Sequence, residues 1–411
     1  MSAPSSSPTP QMLRRASLRS VLDFMRASTI VTISDVMEGT GLARATAISV
    51  CEEIMDRGWI TELENQREFG GYLKGRPARR FVLNQDAGYV VGLDVGVSKV
   101  TAVVSNLRGE IVGRASQQFR GVQITADDSI PGSDISPRER VSAIDSTACD
   151  ALARAGVPPD AVLAVSAGIA APVGRNGDVL VTQPFWALLD VGLKSALKDL
   201  HGWTVLLAND GNLAALGERW RGSAVGVDDV VVILASERFG SGVIDDGRLL
   251  HGCGGGAGEL AFLKQVEGVG DTFGIALMAR TWAAEALTGS DETLLREYPA
   301  EAIEAEHVFA AALQGDAVAR RILDRLADRM ARVIGAVATI HNPELVVIGG
   351  AVAKSAGALL GPIAERLPQF TATPPRLAVS PLGDSVVTMG AVRSALDFVE
   401  KETLDIELHH S

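Results

Sequence analysis

Cysteine, aromatic residues and long apolar runs are all scarce in this chain. Cys51, Cys149 and Cys253 are the only cysteines among 411 residues. An odd, widely scattered set argues against a disulfide framework, and without a CxxC pair there is no zinc-finger spacing. The six histidines are also dispersed, apart from His409-His410, so spacing alone points to no metal site. No apolar stretch approaches the roughly 18 residues that a membrane span needs. The start, MSAPSSSPTPQMLRR, has no apolar segment of the kind a secretory signal carries and reads as a disordered tail. A cytoplasmic protein without a membrane partner is expected.

What the chain does have is 43 glycines, with 47% hydrophobic and 21% charged residues, which suits a glycine-turned α/β protein. Its length allows two or three domains. The net charge of −12 would argue against nucleic acid, but it is unevenly placed. Residues 1–85 hold 11 Lys+Arg and 9 Asp+Glu, the remainder 27 and 41. That asymmetry suggests a nucleic-acid-binding head on an acidic body.

In the head, residues 13–27 place Leu18, Val21, Leu22 and Met25 on one helical face. ISDVMEG fits a second short helix, with Ser34 as a candidate N-cap. Thr40-Gly41 then turns the chain into a third helix that ends at Gly58. Leu42, Ala47, Val50, Cys51 and Ile54 form its inward stripe. Arg44, Ala45, Thr46, Ile48 and Ser49 are left for the outward face. Two helices joined by a tight turn form a helix-turn-helix, whose second helix enters the major groove. WITEL and RFVLN read as strands of a hairpin wing carrying Arg67, Lys74, Arg76, Arg79 and Arg80 against Glu68. Lys74, Arg76, Arg79 and Arg80 are candidate phosphate contacts. A three-helix protein-interaction domain with a solvated charged loop is the blander alternative.

After Asn84 the pattern changes. GYVVGLDVGVSKVTAVVSNLRGEIVGRAS reads as strand, glycine turn, strand, turn, strand, and DVVVILASERFGSGVIDDGRLLHGC repeats that unit about 140 residues later. Two related lobes are implied. Between them, an apolar run ends in Asn209-Asp210, an acid at the carboxyl end of a strand, where α/β proteins often keep functional groups.

The motifs LDVGVSKV, AGIAAPV, LANDGNLAALGE, GCGGGAGELAF, NPELVVIGG and LGDSVVTMGA occur in the order of the ROK family of bacterial repressors and sugar kinases. The wing's GRP resembles that of the family's repressor branch, and the resemblance spans roughly residues 14–398. It implies an α/β fold: a winged helix-turn-helix followed by a two-lobed actin-like, ribonuclease H-like sugar-kinase domain. The corresponding divisions are a tail at 1–13, the head at 14–85 and the effector domain at 86–411. Its lobes are 86–205 with the C-terminal helix, and 206–385.

The resemblance puts the family's catalytic base on Asp210, with Asn209 beside it, and its sugar-binding Glu on Glu259. The nucleotide loops depart from the family pattern. Where kinases read Asp-x-Gly-Gly-Thr, this chain has Asp94-Val95-Gly96-Val97-Ser98. Where they read Gly-Thr-Gly-x-Gly, it has Ser236-Glu237-Arg238-Phe239-Gly240. Val97 places a branched side chain where only Gly lets backbone approach phosphate, and Glu237 would repel a triphosphate. Gly349, Gly350 and the Gly383-Asp384 step are either nucleotide contacts or plain turns. The family's zinc site has no counterpart, since Phe262 stands at its histidine position and no cysteine cluster follows. The substrate-cleft Asn is replaced by a stretch offering Gln183 and Trp186.

The expectation is therefore a transcriptional regulator, a repressor in most of the family, that is not an enzyme and holds no metal or cofactor. Double-stranded DNA and a sugar-type effector are its expected partners, bound by a homodimer or homotetramer. Asn209, Asp210 and Glu259 would hold the ligand, although Asp210 also fits a helix-capping role. A bifunctional sugar kinase, or a regulator controlled by protein docking, are the alternatives.

Overall fold

The computed structural model describes residues 9–63, 78–119, 122, 124–125, 135–181, 184–260 and 263–408. The head opens with α1 (Pro10–Ala27), whose Thr9 side chain accepts the Met12 amide at 3.3 Å. The first helix therefore reaches into the segment expected to be a tail. Its apolar stripe, Leu18, Val21, Leu22 and Met25, is buried as expected. After β1 (Val31–Thr32) comes α2 (Ile33–Thr40), capped by Thr32 rather than Ser34. The Asp35 carboxylate accepts the Thr32 amide at 2.8 Å, and Thr32 accepts the Asp35 amide in return. This reciprocal box satisfies two orphan donors that Ser34 would leave open. Gly41, at φ 71°, makes the tight turn into α3 (Arg44–Asp56). Ala47, Val50, Cys51 and Ile54 are fully buried there. Strands β2 (Ile60–Glu62) and β3 (Arg80–Leu83) pair antiparallel, with β1 on the other side of β3. That completes a winged helix-turn-helix, with most of the connecting wing loop outside the described residues.

The first lobe begins with a meander of β4 (Tyr89–Val95), β5 (Lys99–Asn106) and β6 (Ile111–Gln118), followed by α4 (Pro137–Ala155). Next come β7 (Val162–Ile169), α5 (Pro184–Ala187), α6 (Leu193–His201) and β8 (Val205–Asn209). The sheet order is β6-β5-β4-β7-β8, with β8 parallel to β7. The lobe boundary expected at 205/206 thus falls inside a strand. The first lobe runs to Asn209.

Helix α7 (Asp210–Arg221) crosses to the second lobe, where β9 (Val230–Leu234), β10 (Gly240–Asp245) and β11 (Arg248–Leu249) repeat the meander. Helices α8 (Ile275–Leu287), α9 (Ala305–Leu313) and α10 (Ala317–His341) build its outer layer. Strand β12 (Leu345–Gly349), α11 (Ala353–Ala356), α12 (Leu360–Arg366) and β13 (Arg376–Val379) follow. The order β11-β10-β9-β12-β13 reproduces that of the first sheet.

Helix α13 (Val386–Glu402) packs on the first sheet and against α7, which itself covers the second sheet. The two helices meet at glycine: a Cβ on Gly390 would lie 1.7 Å from the Leu213 carbonyl oxygen. Further along, Leu396 and Val399 of α13 share one buried cluster with Leu18, Val21 and Leu22 of α1. Arg26 donates to Thr403 Oγ1 at 2.5 Å, Arg57 to the Leu404 carbonyl at 3.1 Å, and Arg15 pairs with Asp405. The head is thus keyed to the end of α13. Among the described residues, no helix is long and apolar enough to cross a membrane.

Candidate ligand cleft and DNA-binding face

The carboxyl ends of β4, β8 and β9 converge between the lobes on two adjoining chambers. A small one, about 60 Å³, is lined by Trp186, Asn209, Asp210, Gly240, Glu259 and Thr272 among others. A larger one, about 260 Å³, includes Asp94, Gly96, Ser98, Lys99, Gly350 and Asp384 in its wall. Ala170, Phe185, Asp210 and Arg238 line both.

Asn209 ends β8 and caps α7. Its Oδ1 accepts the Asn212 amide at 3.0 Å, and its Nδ2 donates to the Ala171 carbonyl at 3.2 Å. Asn209 is therefore a cap as well as a wall residue. Asp210 is the first residue of α7, and its Oδ1 accepts the Gly211 amide at 2.8 Å. Burial, then the charges of Asp94 and Glu259, push its pKa to about 7. At the end of β4, burial raises Asp94 to about 6, with Asp384 adding to the rise and Lys99 opposing it. Two acids that resist ionisation suit a site where hydroxyl groups are bound, because each can donate or accept.

The two loops differ in how far they match expectation. Val97 is only 5% exposed and packs in the first lobe's core, and it also lines the larger chamber. Glu237 does not stand free to repel phosphate. Both its carboxylate oxygens are held by Arg280 of α8, at 2.8 and 2.7 Å. Arg238 is the intruder instead: its guanidinium lies 4.4 Å from the Phe185 ring centre and 5.5 Å from that of Phe273. Gly350, at φ 93°, turns tightly against Ser236, whose Oγ would lie 2.7 Å from an added Cβ. Asp384 pairs with Arg114 at 3.0 Å and Lys99 at 3.7 Å. Phe262, at the family's zinc-histidine position, lies outside the described residues, as does Gln183.

On the head, Arg44, Ala45 and Ser49 are exposed, and Thr46 is half-buried. Arg44 has no ion pair among the described residues. Ile48 does not face outward as expected; it is half-buried against the head's core. Ser49 is held by Arg14, which donates to its Oγ at 3.2 Å and its carbonyl at 3.1 Å. Arg79 pairs with Glu52 and Glu62 at 3.0 and 2.8 Å, so its charge is compensated within the head. Arg80 is half-buried in β3, whereas Lys74 and Arg76 lie outside the described residues. Reading the sequence alone missed Phe185 and Arg14, whereas the bulk of Arg238 in the second loop was legible there. The one available signal was the adjacent Phe185-Trp186 pair in an aromatic-poor chain.

Fold and cleft together define a two-lobed actin-like protein carrying a winged helix-turn-helix head. The ROK family model matches residues 90–397, and the chain belongs to that family. It is 23% identical over 394 residues to the xylose repressor of Caldicellulosiruptor bescii, covering 91% of this chain and 93% of that protein. A glucokinase of Thermotoga maritima is 31% identical over 234 residues, 53% of this chain and 74% of the kinase. A solved ROK family transcriptional regulator, a homologue of the Escherichia coli Mlc protein, superposes with a TM-score of 0.71. It is 21% identical and covers 93% of this chain and 96% of its own.

Proposed function

We propose that this protein is a DNA-binding transcriptional regulator, a repressor of carbohydrate-related genes, controlled by a sugar-type ligand in its kinase-derived cleft. The observation that carries this reading is the path of α13. Val386 and Val387 at its start line the larger chamber, while Leu396, Val399 and the residues just beyond it hold the head. A ligand that favours one lobe arrangement shifts α13, and with it the head, through differential affinity for the two states. The full-length similarity to a xylose repressor supports the same reading. In this mechanism a homodimer presents two heads to a two-fold operator, and Arg44, Ala45 and Ser49 of α3 reach base edges.

Asp210, Asn209 and Glu259 bind ligand hydroxyls, and no phosphoryl transfer follows because the Arg238 guanidinium occupies the rim that the two chambers share. One observation favours a second reading, a sugar kinase with a DNA-binding head: an acid with a pKa near 7 is well matched to general-base work.

The test is selection of DNA sites by the full-length protein, followed by salt-dependent binding and thermal shift with sugars and ATP. Arg44→Ala is expected to weaken specific binding by about 1–3 kcal/mol, and Arg76→Ala to weaken all sequences and flatten the salt slope by about one. Binding that is absent or independent of salt would sink the regulator. Sugar phosphorylation abolished by Asp210→Ala would establish the kinase.

A further inference from the structure

On the outer face of the first lobe, Asp145 and Cys149 lie one turn apart on α4, and His201 is the last residue of α6. His201 Nε2 is 2.6 Å from Asp145 Oδ1, and Cys149 Sγ is 3.9 Å from the same oxygen. One donor atom of each residue falls within 4.8 Å of the other two, and all three residues are half-buried. The His201 ring is held from the side by stacking on Trp203 at 4.0 Å, and the Trp203 indole N–H donates to the Pro159 carbonyl at 2.8 Å. Among the described residues, no Lys or Arg pairs with Asp145; its ion-pair partner is His201. Asp150 adds a second negative charge near Cys149.

We propose that Asp145, Cys149 and His201 form a binding site for a divalent transition-metal ion of the zinc type, which staples α4 to the end of α6. A sulfur, an imidazole nitrogen and a carboxylate oxygen are the donor set such an ion prefers, and three protein donors leave a fourth position for water. Tetrahedral ligand bonds of about 2.0–2.3 Å put donor atoms roughly 3.3–3.7 Å apart. The sulfur–oxygen separation already approaches that range, and the nitrogen–oxygen pair must open by roughly 0.7 Å. Binding sends the Cys149 thiol proton to solvent. Helix α6 leads into β8, so the ion would brace the strand that ends at Asn209-Asp210. The site belongs to the first lobe and does not depend on the family zinc position beyond Leu260 in the second.

The experiment titrates metal-stripped full-length protein with Co²⁺, then displaces it with Zn²⁺. One equivalent is expected to give the visible bands of a tetrahedral site and a near-ultraviolet thiolate-to-cobalt band. Cys149→Ser should remove the near-ultraviolet band and weaken Zn²⁺ binding more than about 10-fold. Cys253→Ser and a His409→Ala/His410→Ala double variant should change neither. Circular dichroism of the metal-free variants checks that they fold alike. A wild-type protein without the thiolate band, or a band that survives Cys149→Ser, would overturn the proposal.

Discussion

The two lobes share one sheet order, yet their glycine loops serve opposite ends. In the first lobe the loop after β4 is braced from behind, where Arg140 of α4 donates to the Gly96 and Val97 carbonyls at 3.3 and 3.2 Å. Its front, with Asp94, Ser98 and Lys99, stays turned to the chamber. In the second lobe the loop after β9 is absorbed into the start of α8. The Ala235, Ser236 and Glu237 carbonyls accept amides of residues 274–276, and Arg280 takes the Glu237 carboxylate. At the front, beside Ser236 and Glu237, stands Arg238 on its two aromatic rings. The same topology therefore leaves one loop facing the chamber and ties the other into α8. The difference lies in what each loop is tied to.

That contrast has meaning only if the lobes are held in register, and the largest predicted effect comes from the seam between them. An added Cβ on Gly390 would meet the Leu213 carbonyl oxygen and carbon at 1.7 and 2.4 Å, main-chain atoms that no rotamer change can move. Gly390→Ala is expected to cost about 3 kcal/mol or more in urea denaturation, outweighing the helix propensity gained. Gly361→Ala on α12, where an added Cβ meets nothing within 4 Å, should change stability by less than about 1 kcal/mol. Equal effects at the two positions would show that the α7–α13 contact does not set the seam.

A smaller effect separates the two loops by pH. Asp210 and Asp94 hold their protons more tightly in the folded chain than in an unfolded one, with pKa values of about 7 and 6. Folding then takes up protons above the unfolded carboxyl pKa of about 4, so stability is greatest near there and falls as pH rises to about 7. Asp210→Asn should match the wild type near pH 4 and exceed it by about 2 kcal/mol at pH 8, allowing for solvent at the cleft floor. A difference that stays constant with pH would contradict the burial of Asp210. In the second lobe, Glu237→Gln leaves the half-buried Arg280 with the more distant Glu304 at 3.7 Å and the charge of Glu306. A loss of about 1 kcal/mol is expected, with no pH dependence between 6 and 8.

Much of this was legible in the residue order. Period-2 runs and glycine turns revealed the repeated meanders, and the buried stripes of α1 and α3 followed helical spacing. What stayed hidden depended on partners distant in sequence. β8 could be assigned to the first lobe only once β7 lay beside it, and Glu237 looked hostile to phosphate because Arg280 lies 43 residues away. The pairing of Arg79 with Glu52 and Glu62 could not be read from the sequence, since Glu52 lies on α3 and Glu62 across the wing. Asp145 and Cys149 lack metal spacing on their own, and His201 joins them only through the packing of α6 on α4. At the cap of α2, Thr32 prevailed over Ser34 because Asp35 can return its bond, a choice that depends on local geometry.

The smallest predicted change in stability carries the sharpest test of the contrast. Arg238→Ala removes a guanidinium stacked on Phe185 and Phe273 at the rim of both chambers. The loop's ties to α8 run through backbone and Glu237, so stability should fall by less than about 1 kcal/mol. The chambers then join, and thermal shift with a series of mono- and disaccharides should show larger ligands accepted than by the wild type. A non-hydrolysable ATP analogue should stabilise the variant and leave the wild type unchanged. If the analogue stabilises both proteins alike, Arg238 does not bar the nucleotide side of the chambers it shares with Asp210. The second loop would then be a working phosphate cradle after all, and the lobes would differ less than their contacts imply.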